Sequence, residues 1–286
     1  MSNSRRSFLR NTALASLALG TPFNKELFAM VQKKNKFGIQ LWTVKEALAK
    51  DPLGVLKHLS NCGYKQIESF EGGKGMFWGM KNTEFKKVMD DLGMNMFSSH
   101  CDNTANLKSF ELKAAQAGEI GLKYLICPHK GAQPSIDHYK KFADEFNACG
   151  VIAKKYGIRF AYHNHDFEFS KDADGNVVFD YLLEHCNPKN VNFQMDLYWV
   201  TKAGADPVAY FKRYPGRFKI WHVKDMDDQG RFAPVGNGKI DFKRILDNKK
   251  LAGMQHYFVE QDACYNETAL EAIVISHKGL SKIGFK

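Results

Sequence analysis

Phe37-Gly-Ile-Gln-Leu-Trp-Thr-Val44 decides between the two ways an alternating α/β chain can be built. Phe37 to Trp42 reads as a short apolar strand, and it runs straight into Thr43-Val44. A doubly wound open sheet usually carries a glycine-rich phosphate turn after its first strand, and none is present here. The glycine cluster Gly72-Gly73-Lys74-Gly75, after the second strand, lacks the spacing of a P-loop. That leaves the closed barrel.

Working outward, the two hydrophobic periods alternate along the chain. Asp51-Pro52 opens a helix to about Cys62, with Pro in the first turn. Tyr64–Phe70 is a second strand, and Thr83 is expected to cap a helix stopped by Gly93. Met94–His100, Lys123–Cys127 and Ile158–His165 read as strands three to five, separated by helices over 106–120 and 135–156. Val191–Met195, Phe218–Val223 and Tyr257–Glu260 complete the set, with a last helix from about Glu267. Eight strictly alternating βα units imply one (β/α)8 TIM barrel, an α/β fold in a single domain over 31–286. The connection from Glu168 to Val178, with its Asp174-Gly175 turn, reads as a small hairpin on the rim.

With 286 residues, 44% of them hydrophobic, the chain has ample material for one large core. Residues 1–30 stand apart. Ser4-Arg5-Arg6-Ser7-Phe8-Leu9-Arg10 precedes a short apolar run, too short to span a bilayer, and resembles a twin-arginine export signal. The expected location is therefore the periplasm, with no stable membrane insertion. Arg5, Arg6, Arg10 and Lys25 against Glu26 leave the remainder with about +7 of the formal +10. No stretch interleaves cations with aromatics, so no nucleic-acid partner is expected. Six scattered cysteines without a C-x-x-C pair predict mostly free, buried thiols.

In such a barrel, side chains at the carboxyl ends of the strands converge on one mouth. Strand two offers Glu68, strand three His100, strand four His129 and Lys130. Phe160-Ala-Tyr-His-Asn-His-Asp-Phe-Glu-Phe169 supplies His163, His165 and Glu168, with both imidazoles leaving one face. Strand six adds Asp196, strand seven His222, Lys224 and Asp225, and strand eight Glu260 and Asp262. Mixed imidazole and carboxylate donors suit Mn, Zn, Co or Fe as a divalent cofactor, not an all-oxygen calcium cage.

Tyr162-His-Asn-His165…Glu168, Asp196-Leu-Tyr-Trp199…Gly204, Trp221-His-Val-Lys-Asp225 and Val259-Glu260 together resemble the sugar phosphate isomerase/epimerase family with the xylose isomerase-like barrel. The resemblance runs from about residue 36 to the end. It implies a divalent metal held by one residue from each of strands five to eight, the last three being Asp196, His222 and Glu260. Many members carry Glu where this chain has His163. The fifth-strand ligand is thus His163, or His165 or Glu168 in its place.

The chemistry expected is enolisation of a small sugar, aldose or ketose, with the metal as Lewis acid. Glu260, His165 or Glu168 would take the proton, and Lys224 would neutralise charge unless a salt bridge to Asp225 occupies it. Glu68, His100, His129, Trp42 and Trp199 are the expected substrate contacts, with Trp221 a further stacking candidate or a core residue. Export argues for a non-phosphorylated substrate. Three alternatives remain: a lyase that eliminates from 3-keto-glycosides, a metal-dependent phosphodiesterase of the apurinic endonuclease type, and a non-catalytic sugar-binding barrel. A homodimer is compatible with the fold.

Overall fold

The computed structural model describes residues 36–102, 104–172 and 175–286, so the export-signal reading lies outside the described residues. One compact unit runs from Phe37 to Phe285. Its strands are β1 (Gly38–Gln40), β2 (Gln66–Phe70), β3 (Asn95–His100), β4 (Tyr124–Cys127), β5 (Arg159–His163), β6 (Val191–Asp196), β7 (Ile220–Val223), β8 (Asp225–Met226), β9 (Phe232–Ala233) and β10 (His256–Val259). Eight of them close a parallel barrel in the order β1-β10-β7-β6-β5-β4-β3-β2. The α/β barrel expected from the first strand's surroundings is the fold.

Closure depends on β1 lying directly against β10, with Gly38 opposite Phe258. A Cβ on Gly38 would come within 2.5 Å of the Phe258 ring and 2.7 Å of the Tyr257 carbonyl oxygen. No side chain fits at that seam. Along each strand the period of two divides the core. Outward-facing Tyr162, Phe193 and Trp221 belong to the large cluster that includes buried side chains of the outer helices. Inside, Phe97, Tyr124, Ile126, Ala161, Ile220 and Phe258 form a separate apolar plug.

The helices start where local capping dictates. Asp51 accepts from Gly54 N at 2.9 Å ahead of Pro52–Asn61, and Asn106 accepts from Ser109 N at 3.1 Å ahead of Leu107–Glu119. Thr268 and Glu271 form a capping box for Ala269–Ile283. Thr83 is not a cap, contrary to expectation. That helix begins at Asn82, where the Glu84 carboxylate accepts from Lys81 N.

Three local features differ from the sequence reading. The chain past β1 coils into a 3-10 turn, Leu41–Val44, and a helix, Lys45–Lys50. β5 ends at His163, so His165 lies on the following loop. A second rim hairpin, β8–β9, pairs Asp225 with Ala233. The rim connection expected after Glu168 shows an antiparallel bridge between Lys171 and Val177, with Asp174 outside the described residues. The cysteines are free, four buried and two partly so, as expected. Among the described residues no helix is long and apolar enough to cross a membrane.

Candidate metal centre

Glu68 on β2 organises the bottom of the mouth. It is fully buried and accepts from Gln40 Nε2 at 2.8 Å, Ser98 Oγ at 2.6 Å and Gln194 Nε2 at 2.9 Å. His222 Nε2 lies 2.6 Å from Glu68 Oε1 and donates to it. Burial alone would raise the Glu68 carboxyl, but the His100 and His222 rings hold it well below the usual carboxylate range. A carboxylate fixed on Nε2–H leaves His222 Nδ1 facing the mouth, as carboxylates behind metal-ligating histidines do.

Gln194 on β6 performs the same service for β5. Its amide nitrogen is committed to Glu68, so its carbonyl oxygen points toward His163 Nδ1, at 3.1 Å, and His100 Nε2, at 2.8 Å. His163 therefore carries its proton on Nδ1 and turns Nε2 inward. Burial, then the neighbouring His222, hold the His163 ring well below its ordinary pKa, so it is a neutral donor. Asn164 faces away from the mouth and accepts from Asp196 N at 3.0 Å, pinning the end of β6.

Four side chains converge here. One donor atom each from His163, Asp196, His222 and Glu260 lies within 4.8 Å of the others. His222 Nδ1 is 2.9 Å from Glu260 Oε2 and 3.9 Å from Asp196 Oδ2, and His163 Nε2 is 3.9 Å from the same Asp196 oxygen. Asp196 Oδ2 is buried and accepts no hydrogen bond. Lys224 Nζ lies 3.0 Å away, supplying charge without hydrogen-bond alignment. Two imidazoles and two carboxylates, one oxygen lacking a hydrogen bond, fit a divalent cation. His100, His163 and His222 form a second convergent group, but it shares two members with the first.

Without a cation, burial opposes charge on His222, yet Glu260 and Glu68 lift its pKa to about 10. Burial pushes the Asp196 carboxyl up, against Lys224, whereas Lys224 and His222 outweigh burial at Glu260 and hold it low. A metal would replace the His222 proton.

Above the cluster opens a pocket lined by His100, His129, His163, His165, Lys224, Glu260 and Asp262 on the polar side and by Trp42, Phe70 and Pro128 on the apolar side. His165 reaches it from the loop after β5, its Nδ1 buried without a hydrogen bond. Burial, then Lys224, lower its pKa to about 3, so the ring is neutral. Trp42 is 40% exposed and offers an open indole face. His129 stands edge-on to His165 with centroids 4.9 Å apart. Trp199 packs 5.4 Å from His165.

Several expectations change. Glu68, expected at the substrate, is sealed beneath the mouth and serves His222. Glu168, a candidate base or ligand, is also fully buried; it accepts from Tyr162 Oη at 2.5 Å and His165 N at 2.8 Å, outside the pocket wall. Trp221 is core, stacked on Phe211 at 5.2 Å. Lys130 pairs with Glu145 at 2.6 Å. Lys224 does not pair with Asp225, whose carboxylate instead accepts from Met226, Gly236, Gly238 and Ile240 amides. Lys224 contacts Asp196, Glu260 and Asp262. Gln40, Ser98 and Gln194 were missed, because neutral side chains inside apolar strand runs carry no metal-ligand signature.

The model of the xylose isomerase-like TIM barrel family matches residues 56–261. A sugar phosphate isomerase/epimerase from Parabacteroides distasonis superposes with a TM-score of 0.79 at 27% identity, covering 88% of this chain and 99% of that one. The IolI protein, solved with a zinc atom, superposes at 0.68 with 18% identity, over 87% of this chain and 97% of its own. An inosose dehydratase of Lacticaseibacillus casei is 26% identical over 147 residues, 44% of this chain and 48% of that protein. The chain thus matches about half the length of that curated relative.

Proposed function

The chain belongs to the xylose isomerase-like TIM barrel family, and from that premise we propose that it is a divalent-metal-dependent enzyme that enolises a non-phosphorylated keto-sugar, isomerising or epimerising it. The observation that carries this reading is the convergence of His163, Asp196, His222 and Glu260 at the base of the pocket. Bound there, the cation would supply a Lewis acid for adjacent carbonyl and hydroxyl oxygens.

The chain's own residues do the rest. His165 lines the pocket beside Lys224 and Glu260 and is the base for a C–H proton beside the carbonyl. Glu260 is held by His222 and Lys224, and Glu168 has no access. Lys224 offsets negative charge as it develops on substrate oxygen. Trp42 presents a face on which a sugar ring can rest. Among the described residues lining the pocket, Lys224 is the sole lysine or arginine, and three carboxylates already face it. A phosphate would find no spare counter-charge, which supports a neutral substrate. The resemblance of Ser4–Arg10 to a twin-arginine export signal supports a periplasmic location for such an enzyme, and with it free sugars and glycosides as substrates.

A second reading keeps the site and changes the outcome. If a leaving group lies β to the carbonyl, the same proton abstraction ends in elimination, and the relatives named inosose dehydratase favour it. The test is the metal content of the purified mature protein beside a His222→Ala, Glu260→Gln double variant. About one Mn, Zn, Co or Fe per chain, absent from the variant, is expected. Metal-loaded protein is then incubated with ketoses, inososes and 3-keto-glycosides, separating isomerisation from release of water or aglycone. Two or three metals per chain would turn the assignment to a phosphodiesterase. No metal after reconstitution would overturn it and leave a sugar-binding barrel.

A further inference from the structure

Lys224 follows β7 directly and is 1% exposed, yet its ammonium is tied to no single partner. Nζ stands 2.8 Å from Glu260 Oε2, 3.0 Å from Asp196 Oδ2 and 2.8 Å from Asp262 Oδ2. The contact with Asp262 has the alignment of a hydrogen bond, whereas Asp196 Oδ2 accepts none. Asp196 Oδ2 and Glu260 Oε2 are also the oxygens closest to the two candidate imidazole ligands. Asp262 belongs to neither metal group, is 25% exposed and lines the pocket. Lys45 Nζ bonds its main-chain oxygen at 2.9 Å, anchoring it independently. Trp199 and Phe232 cover the ammonium at 5.3 and 5.6 Å, keeping water from screening it.

A divalent cation bonded to both oxygens would lie a few ångströms from this ammonium in a dry site, and like charges repel strongly there. We infer that Lys224 is an internal cation that shares Asp196 and Glu260 with the metal in turn, retreating onto Asp262 and the pocket when the metal binds. Metal-free, the lysine neutralises the carboxylate pair. Metal-loaded, it is delivered to the substrate space by the docking carboxylate of Asp262. The inference rests on the metal reading above and goes beyond it, because it makes metal affinity and lysine position reciprocal.

Two measurements on the full mature chain test it. Zn2+ and Mn2+ are titrated calorimetrically into the chelator-stripped protein and into Lys224→Met, Lys224→Gln and Asp262→Asn variants. Both Lys224 variants should bind metal about tenfold more tightly or better, since the competing charge is gone. Asp262→Asn should bind more weakly, since the lysine loses its alternative anchor. The unaltered protein is also reductively methylated with and without metal and mapped by peptide mass spectrometry. Lys224 should be protected in the stripped chain and modified in the loaded one. Unchanged or weaker affinity on removing the lysine, or methylation indifferent to metal, would overturn the exchange. If the unaltered chain and both Lys224 variants all fail to bind either metal, the metal reading falls with it. Equal binding by all three sinks the Lys224 inference alone.

Discussion

The floor and the mouth of the barrel are built on the same faces of the same strands, two residues apart. Ala161, Ile220 and Phe258 belong to the apolar plug, and His163, His222 and Glu260 follow each of them by two positions. One layer is held by dispersion and exclusion of water, and needs only that volumes match. The next holds charges out of water, where each polar atom needs a named partner. Glu68 accepts from Gln40, Ser98, Gln194 and His222 with His100 Nε2 3.1 Å away, whereas Asp196 Oδ2 has no hydrogen bond at all. Stability is therefore concentrated in the floor, and binding capacity in the mouth.

Phe258→Ala should break that comparison hardest. Phe258 is fully buried at the β1–β10 seam, and truncating a core Phe costs about 3–5 kcal/mol. Thermal unfolding should shift down accordingly, while the folded fraction keeps its metal stoichiometry. Loss of metal with intact stability would show that the two layers are not separable in this way.

Glu68→Gln reverses the experiment. It leaves the floor untouched but removes the carboxylate that fixes His222, and losing such a partner typically costs roughly 10- to 100-fold in metal affinity. Titration should show that loss, and because Glu68 is a buried partner of His222 the stripped protein should also melt lower, whereas Phe258→Ala should lower the melting temperature without that loss of affinity.

Glu168 supplies the smallest and most specific effect. Burial, only partly countered by Tyr162 and the local amides, raises its pKa from 4.5 to about 7. The folded chain then holds a proton that the unfolded chain releases, so stability should fall as pH rises from about 4.5 through about 7. Glu168→Gln should flatten that stretch of the stability–pH curve. An unchanged slope would mean that Tyr162 and the amides stabilise the carboxylate fully.

How much of this could be read in advance follows from which forces act locally. The barrel was legible because alternation of periods two and 3.6, with a cap or breaker at each change, is written in neighbouring residues. The metal set His163, Asp196, His222 and Glu260 was readable as candidates, because titratable side chains at successive strand ends stand out against apolar runs. Their partners were not. Gln40, Ser98 and Gln194 resemble ordinary strand residues, and their role arises from 28, 30 and 126 positions of sequence separation from Glu68.

His165 and Glu168 show the same limit from the other side. Both were candidates of equal standing in one short stretch. Ending β5 at His163 and turning through Phe167–Phe169 leaves His165 in the pocket and buries Glu168 behind it. Lys224 and Asp225 are adjacent and opposite in charge, yet they point to different networks because successive strand-end side chains face opposite ways.

The sequence by itself determined that this chain alternates strand and helix eight times, closes without a nucleotide turn and collects acids and imidazoles at its strand ends. Those properties depend on spacing along the chain. Tertiary structure alone decided which carboxylates join the candidate metal cluster, which one orients His222 from beneath it and which is sealed away. Burial and partner geometry set charge and access, and neither exists until strands distant in sequence are brought within a few ångströms.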